Sequence, residues 1–546
     1  MRTVESVDAI DRDLERLSMA KDAWARTSVA RKISLLQALR RNVHSIAPDW
    51  VSAAANAKGL RENSPLAGEE WISGPWAVLY AINRYLRTLN AIDNTGEPRL
   101  PPMRVRAGGQ VALDVFPYSV YDRVLLNGVR AEVRMQQGVD IQQTRRSAAA
   151  FYREAQPDGH LAVVLGAGNI SSIAPLDVLY KLLAEGAVCM LKMNPVNDYL
   201  GPIFERAFEP FVDAGFLRFA YGGAETGAYL CAHPAVDRIH VTGSERTHNA
   251  IVAQAGSGKQ ITSELGNVSP TIVVPGAWSA ADVRFQAENI ATQKAHNAGF
   301  NCIAAQVLIL PRDWEHSGAL RDEVARVFER MEPRPEYYPG AAARRIDAAG
   351  PESGLRCVID IDRNADAAFF QNETFSGVLA TVELPGDTEA FVRAAVAFAN
   401  ERLHGTLGAN VIAHPRTMRE SSALVEQAVD DLRYGCIGVN AWTGVGYFIT
   451  ETPWGAYPGH TIDDIQSGIG VVHNSYFLER TEKSVVRAPF TPFPRSARSG
   501  ERTLLPRPPW FITNTRQAEV GRALCDFENA PNPLAAARVA ALALRA

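Results

Sequence analysis

At 546 residues the chain is too long for one ordinary hydrophobic core, so two or three domains are expected. Lysine and arginine number 56 against 60 aspartates and glutamates; a net charge of −4 gives no basic excess to favour nucleic acid or an anionic membrane. Hydrophobic residues make up 47%, ordinary for a soluble globular protein, and no run approaches the ~20 apolar residues of a membrane span.

The first ten residues lack the apolar core of a secretory signal. The six cysteines, Cys189, Cys231, Cys302, Cys357, Cys436 and Cys525, show no paired or metal-like spacing. Free thiols of this kind fit a reducing, cytoplasmic setting, and no metal site is expected.

From Val7 to about Leu60 the pattern is helical, with Ile33, Leu36, Leu39 and Val43 on one face. A second helix is predicted over Trp76 to Leu86, and residues 93–110, rich in Pro, Gly and Arg, read as a loop. Two short β-like runs follow, Ala112 to Phe116 and Val129 to Arg134. A two-stranded ribbon is barely stable alone, so it is expected to pair with another strand, such as one from a second subunit.

From Leu161 the pattern alternates. Strands are predicted at Leu161–Leu165, Ala187–Leu191, Leu217–Tyr221, Arg238–Thr242 and Gln260–Ser263, with apolar helical faces between them. Such βαβ units build a parallel sheet covered by helices on both faces, which binds ligands beyond the carboxyl ends of its strands. Asn169, Lys192, Gly223, Gly243 and Glu264 all stand at or just past those ends. A second α/β region runs from about 266 to 441. Within it a helical face of Val283, Ala287, Ile290, Ala291 and Lys294 leads into the turn Asn297-Ala-Gly-Phe-Asn-Cys302, and a strand-like run, Val307 to Pro311, follows. A thiol in a Gly- and Asn-rich turn can meet a ligand, whereas a lone cysteine is more often a small buried hydrophobe. Residues 442–475 are loop-rich, and the tail to Ala546 is Pro- and Arg-rich before an Ala-rich helix.

Read together, the turn Gly168-Asn169, Leu191-Lys192, the run His233 to Ser244, Ser263-Glu-Leu-Gly266, Asn297 to Cys302, Glu373-Thr-Phe375 and Thr452-Pro-Trp-Gly455 resemble the aldehyde dehydrogenase superfamily. They occur in that family's order, with Lys192 following Asn169 by 23 positions, and span roughly residues 20 to 475. The resemblance implies an α/β fold. A Rossmann-type cofactor domain would comprise 1–110 and 151–265, and an α/β catalytic domain 266–441. A β oligomerisation ribbon would take 111–150 and about 456–480, a substrate-side loop 442–455, and a tail of unassigned role 481–546. It also implies NAD(P)-dependent oxidation of an aldehyde to the acid, as a homodimer or homotetramer. Cys302 would be the nucleophile, Asn169 an oxyanion donor, and Glu264 the base that activates water. Lys192 and Glu373 would bind the two riboses of NAD or NADP. Gly223, Gly243 and Ser244 would lie along the dinucleotide, with its pyrophosphate at Ser244, and Phe375 against the nicotinamide ribose or ring.

The chain departs from the family pattern in several places. Ala167-Gly168 replaces Pro-Trp, Asn267 a Gly, Phe300 a Gln, and Ser376-Gly377 Gly-Pro. Pro195 stands where NAD-preferring members often carry a Glu, which opens the way to NADP. His248 replaces a Gly and is expected to crowd the pyrophosphate. Trp442, Tyr447, Phe448, Trp454 and Tyr457 suggest an aromatic wall for the substrate or, equally, inter-domain packing. Two rival readings remain: a conventional Rossmann reductase using Gly166-Ala-Gly-Asn-Ile-Ser171 without thiol chemistry, and a non-catalytic protein on the same fold.

Overall fold

The computed structural model describes residues 6–61, 64–256, 258–364 and 368–545. Five parallel strands form the first sheet, in spatial order Leu217–Ala220, Ala187–Lys192, His160–Leu165, Arg238–Gly243 and Gln260–Leu265. The chain builds outward from His160–Leu165 in one direction, then returns and builds in the other. The crevice at this reversal lies beyond the carboxyl ends of the strands, where α/β sheets bind ligands. Gly468–Ile469 adds a short antiparallel edge, with Gly468 opposite Glu264.

The helix Val7–Ala25 packs on this sheet and Val29–Ala57 on the neighbouring helices, because their apolar residues recur on one face; Leu36, Leu39 and Val43 are fully buried. Trp24 lies against Phe211 and Phe216, and its indole N–H donates to the Leu182 carbonyl at 3.0 Å. The second expected helix is longer than its periodicity suggests. It begins at Ala67 and runs to Thr95, broken at Gly74, where an added Cβ would meet the Ser171 hydroxyl at 2.9 Å.

The second sheet has ten strands, ordered Met103–Val105, Val111–Phe116, Arg130–Met135, Thr481–Arg487, Cys436–Val439, Gly408–Ile412, Ser269–Val273, Ala305–Pro311, Gly377–Leu384 and Arg356–Asp360. Three expectations change here. The Pro/Gly/Arg-rich loop carries an edge strand, Met103–Val105. The ribbon takes its third strand from Thr481–Arg487 of the same chain, not from 456–480, so its pairing needs no second subunit. The short strands within 456–480 serve elsewhere, Gly468–Ile469 on the first sheet and Val472–His473 against Pro453–Trp454. The sequence hides this because Thr481–Arg487, Thr-Glu-Lys-Ser-Val-Val-Arg, is mostly polar and has neither an apolar run nor an alternating pattern; only its pairing on both sides buries Val485 and Val486.

The tail acts as a strap. Gln286 donates to the Phe490 carbonyl at 2.7 Å, Arg507 pairs with Glu288 at 2.9 Å and Arg495 pairs with Asp282, all on the helix Ala280–Ala295. The later helix Gln517–Asn529 lies so close to Ala67–Trp71 that a Cβ on Gly68 would stand 2.1 Å from the Gln517 Cβ. The tail thus ties the helix leading to Cys302 to the N-terminal helical layer. Among the described residues all six cysteines are free, no helix is long and apolar enough to cross a membrane, and no cluster of His, Cys, Asp or Glu is arranged to hold a metal.

Thr481–Arg487 is paired on both edges, so Val485→Pro removes a ladder hydrogen bond in mid-sheet and costs about 3 kcal/mol or more. The expected result is a marked fall in melting temperature with aggregation on gel filtration. Thr481→Pro, at the strand's first residue, should be tolerated, and equal behaviour of the two variants would refute the interior placement.

Candidate active site

The turn Gly166–Asn169 leaves the central strand and is fixed from the next one. Asn194 donates to the Gly166 carbonyl at 3.1 Å and Asn197 to the Ala167 carbonyl at 2.9 Å. A Cβ on Gly168 would meet Asn194 and Val196 at 2.7 Å, so the usual Trp has no room here. Asn169 is buried; its side-chain amide donates one N–H to the Phe300 carbonyl at 2.9 Å, leaving the second for a ligand.

Cys302 follows three consecutive left-handed residues, Asn297 (φ 53°), Ala298 (φ 56°) and Gly299 (φ 86°). Gly299 is required, because a Cβ there would meet the Ser376 carbonyl oxygen at 2.3 Å. The Asn297 side chain bridges to Asn169, donating to its carbonyl at 3.1 Å and to that of Phe300 at 3.1 Å. Behind it lies a cluster of buried charges. Lys58 donates to Glu70 (2.8 Å), to the Asn297 side chain (3.0 Å) and to the Asn169 carbonyl (3.2 Å). Glu69 accepts the Asn297 backbone N–H at 2.9 Å and pairs with Arg334 at 2.5 Å. Tyr337 donates to the same Asn169 carbonyl at 3.1 Å. Burial alone would push the Glu69 carboxyl up, but Arg334 and then His296 outweigh it and hold it below the usual range.

Cys302 forms part of the wall between two cavities. On one side a cleft of about 910 Å³ extends along the crevice and is also lined by Asn169, Lys192, Gly223, Gly243, Ser244, Glu264, Glu373 and Phe375. Every residue expected to serve the site is therefore on this one surface. On the other side is a pocket of about 30 Å³ walled by Trp442, Tyr447, Phe448 and Trp454. Tyr457 is not part of that wall; its ring lies 5.2 Å from the Lys483 ammonium. A larger cavity, about 1310 Å³, lies against the ribbon and is lined by none of these groups.

Glu264 is buried near the end of its strand, with one carboxyl oxygen unpartnered. Burial raises its pKa to about 7, partly opposed by the nearby Cys302 thiol, which lies within hydrogen-bonding range. The Trp454 indole N–H points to the same carboxyl without closing a hydrogen bond of ordinary geometry. Burial first, then Glu264 and Glu373, push the Cys302 thiol well up, which favours its protonated form. Glu373 is raised to about 8 by burial and lies on Gly266, where a Cβ would stand 2.0 Å from its carboxyl oxygen. Lys192 borders the cleft, brought down to about 8 by burial. Ser244 caps the helix Glu245–Val252, its hydroxyl accepting the Thr247 N–H at 3.2 Å.

The departures find explanations. His248 is buried and does not line the cleft, so the expected crowding of the pyrophosphate does not occur. Phe300 packs on Tyr337, Tyr338 and Phe375 with ring centroids 5.0–5.6 Å apart. Asn267 donates to the Gly408 carbonyl at 3.0 Å, tying the cleft floor to the second sheet. Sequence reasoning missed Lys58, Glu69, Glu70, Arg334 and Tyr337; no motif marks them, and their partners lie up to 265 positions away.

The α/β crevice brings together a thiol, a near-neutral carboxyl and an amide donor, groups that covalent carbonyl chemistry uses. Residues 126–333 match the aldehyde dehydrogenase family. N-succinylglutamate 5-semialdehyde dehydrogenase of Sphingopyxis alaskensis is 34% identical over 158 residues, 28% of this chain and 32% of that protein. The matched segment thus spans about a third of the length of such curated relatives. The structure of γ-glutamyl-γ-aminobutyraldehyde dehydrogenase from Burkholderia cenocepacia superposes with a TM-score of 0.62 at 18% identity, covering 88% of this chain and 89% of that one. An indole-3-acetaldehyde dehydrogenase solved with NAD+ gives 0.58 at 18%, covering 89% and 90%. The family match thus covers residues 126–333, and the likeness to the solved structures, which extends over most of the chain, is one of fold.

Lys58 and Glu70 are both almost completely buried, so Lys58→Met strands a carboxylate and is expected to cost about 3–5 kcal/mol. The measurement is the melting temperature, with Lys58→Met/Glu70→Leu recovering part of the loss. An unchanged melting temperature in the single variant would remove the pair from its role.

Proposed function

We propose that this chain oxidises an aldehyde to the carboxylic acid with NAD or NADP, through a thioester on Cys302. The observation that carries this is the position of Cys302 on the wall between the long cleft and the aromatic pocket, with Asn169 and Glu264 beside it. The cleft suits a dinucleotide. Its volume falls within the ~300–1,000 Å³ of ligand sites, a capped helix N-terminus opens onto it, and Lys192 supplies a cation. Lys192 and Glu373 would hold the riboses, Ser244 and the adjoining N–H groups the pyrophosphate, and Phe375 the nicotinamide end.

With the aldehyde in the aromatic pocket, the thiol proton passes to ionised Glu264 and the Cys302 sulfur adds to the carbonyl carbon, giving a thiohemiacetal. The free N–H of Asn169 and the Cys302 backbone N–H receive the oxyanion; one such donor is typically worth ~10²–10³ in rate. NAD or NADP, when bound, would supply the hydride acceptor, and loss of hydride from that carbon would leave the thioester on Cys302. Glu264 gives up the thiol proton to solvent and then takes a proton from the attacking water; the hydroxide adds to the thioester carbonyl, and Cys302 departs as thiolate while the acid is released. A reductase without thiol chemistry would leave both Cys302 and Glu264 without a task, and the strand after the glycine turn ends on Lys192 rather than an acid.

Cys302→Ala should abolish aldehyde oxidation while cofactor binding survives. Glu264→Gln should give a burst of reduced cofactor and an acyl mass on the Cys302 peptide; undiminished steady-state turnover would clear Glu264 of the role. Because the working base is the ionised form, hydrolysis should rise as pH passes through about 7, an apparent value shared by the Glu264–Cys302 pair. With no carboxylate between Met193 and Val196, turnover is expected with NADP as well as NAD. Strict NAD dependence would refute that reading of Pro195.

A further inference from the structure

We propose that the cavity against the ribbon binds a short polyphosphate chain, free or carried on a nucleotide, at a site separate from the cleft at Cys302. The cavity holds about 1310 Å³ and shares no lining residue with the cleft. Part of its floor is one face of two paired strands. Arg130 and Glu132 on one, Val485 and Arg487 on the other, are spaced by two positions, so their side chains share that face. The helices Val120–Leu125 and Ile141–Ser147 supply Arg123 and Arg145 from the sides.

Charge separates this cavity from the rest of the surface. Eight arginines, no lysine and three carboxylates line it, on a chain whose net charge is −4. The carboxylates already have partners. Arg104 pairs with Asp114 at 2.6 Å and with Glu132, and Arg153 faces Glu97 at 3.9 Å. Arg487 reaches outside the cavity lining to Glu426 at 2.9 Å. Arg99, Arg123, Arg130, Arg145 and Arg502 are exposed, and their guanidinium groups have no acceptor or ion-pair partner among the described residues.

The strand register holds two of these charges together. Arg130 and Arg487 stand directly opposite one another on antiparallel strands. Residues so placed have Cβ atoms about 4.5–5.5 Å apart, and like charges there destabilise the pair. Glu426 relieves Arg487, while Arg130 is left facing the cavity; an anion above the floor would relieve both. Arg502 is held at the same place by the tail, whose backbone lies so close that a Cβ on Gly128 would stand 2.4 Å from the Arg502 carbonyl oxygen. A carboxylate takes one guanidinium fork, whereas each phosphate of a chain offers several oxygens to more than one. Five free arginines around one bounded space therefore suit linked phosphates.

The test is calorimetric titration with tripolyphosphate and with ATP, at low and high salt. Tripolyphosphate should bind, less tightly as salt rises, and Arg130→Glu/Arg502→Glu should weaken it by about a hundredfold, roughly tenfold per reversed charge. Arg12→Glu, exposed on Val7–Ala25, and Lys192→Ala, in the cleft, should leave it within about twofold. Equal affinities for the two probes would assign the free chain, and tighter ATP the nucleotide. Arg130→Gln should raise the melting temperature of the protein alone, by relieving Arg487, and lower the further rise that tripolyphosphate gives. The proposal is overturned by no binding, by binding lost in Lys192→Ala and kept in the double variant, or by citrate or polyglutamate binding as tightly as tripolyphosphate. It is also overturned if the double variant's sole effect is to dissociate an oligomer on gel filtration, which would make the cavity a contact between copies.

Discussion

The site depends on a backbone that an L-amino-acid chain resists. Asn297 and Ala298 both sit in the left-handed region, where each residue other than glycine gives up about 1–2 kcal/mol. Asparagine tolerates that region; alanine has no side chain to help. The conformation persists because its surroundings over-determine it. Glu69 takes the Asn297 N–H, Lys58 and Tyr337 approach its side-chain oxygen, and its amide reaches the Asn169 and Phe300 carbonyls. Released from those contacts, the turn would swing Cys302 off the wall it shares with two cavities.

Those contacts come from three separate parts of the chain, and this explains the charge. Lys58, Glu69 and Glu70 belong to the N-terminal helical layer, Asn297 to the loop after a helix of the second region, Arg334 and Tyr337 to the segment after Ser317–Arg330. An apolar junction would stabilise equally well but would tolerate slippage, whereas paired ions with fixed partners admit one register. The C-terminal strap secures the same junction from outside, through Asp282 and Glu288 on the helix and Gly68 beside Glu69.

What the sequence showed and what it hid divide along a physical line. Two of the five parallel strands, at Leu161–Leu165 and Ala187–Leu191, announce themselves as short, continuously apolar runs, since a strand buried on both faces has no other way to be written. Cys302, Glu264 and Asn169 stood out only through the family resemblance of the motifs that hold them; taken alone they read as a small buried hydrophobe, an ordinary strand-end acid and a turn-former. Lys58, Glu70 and Arg334 did not, because a buried ion pair looks like surface charge until its partner is known. His248 misled for a related reason. A helix position reads as facing the ligand or away from it only once the helix's rotation is set, and that is settled by packing. The third ribbon strand was missed because pairing between distant segments leaves no local mark.

The same burial that builds the site sets its resting state. Cys302, Glu264 and Glu373 crowd one side of the cleft, and the low dielectric disfavours each of their anions while each anion disfavours the others. Lys294, fully buried beneath, is itself lowered to about 7, so it brings less than a full positive charge to offset them. Burial thus favours the protonated thiol, while Glu264, at about 7, is divided between its two forms near neutral pH. A positive charge placed in the cleft changes the balance for all three at once, favouring ionisation of Glu264 and the transfer of the thiol proton to it.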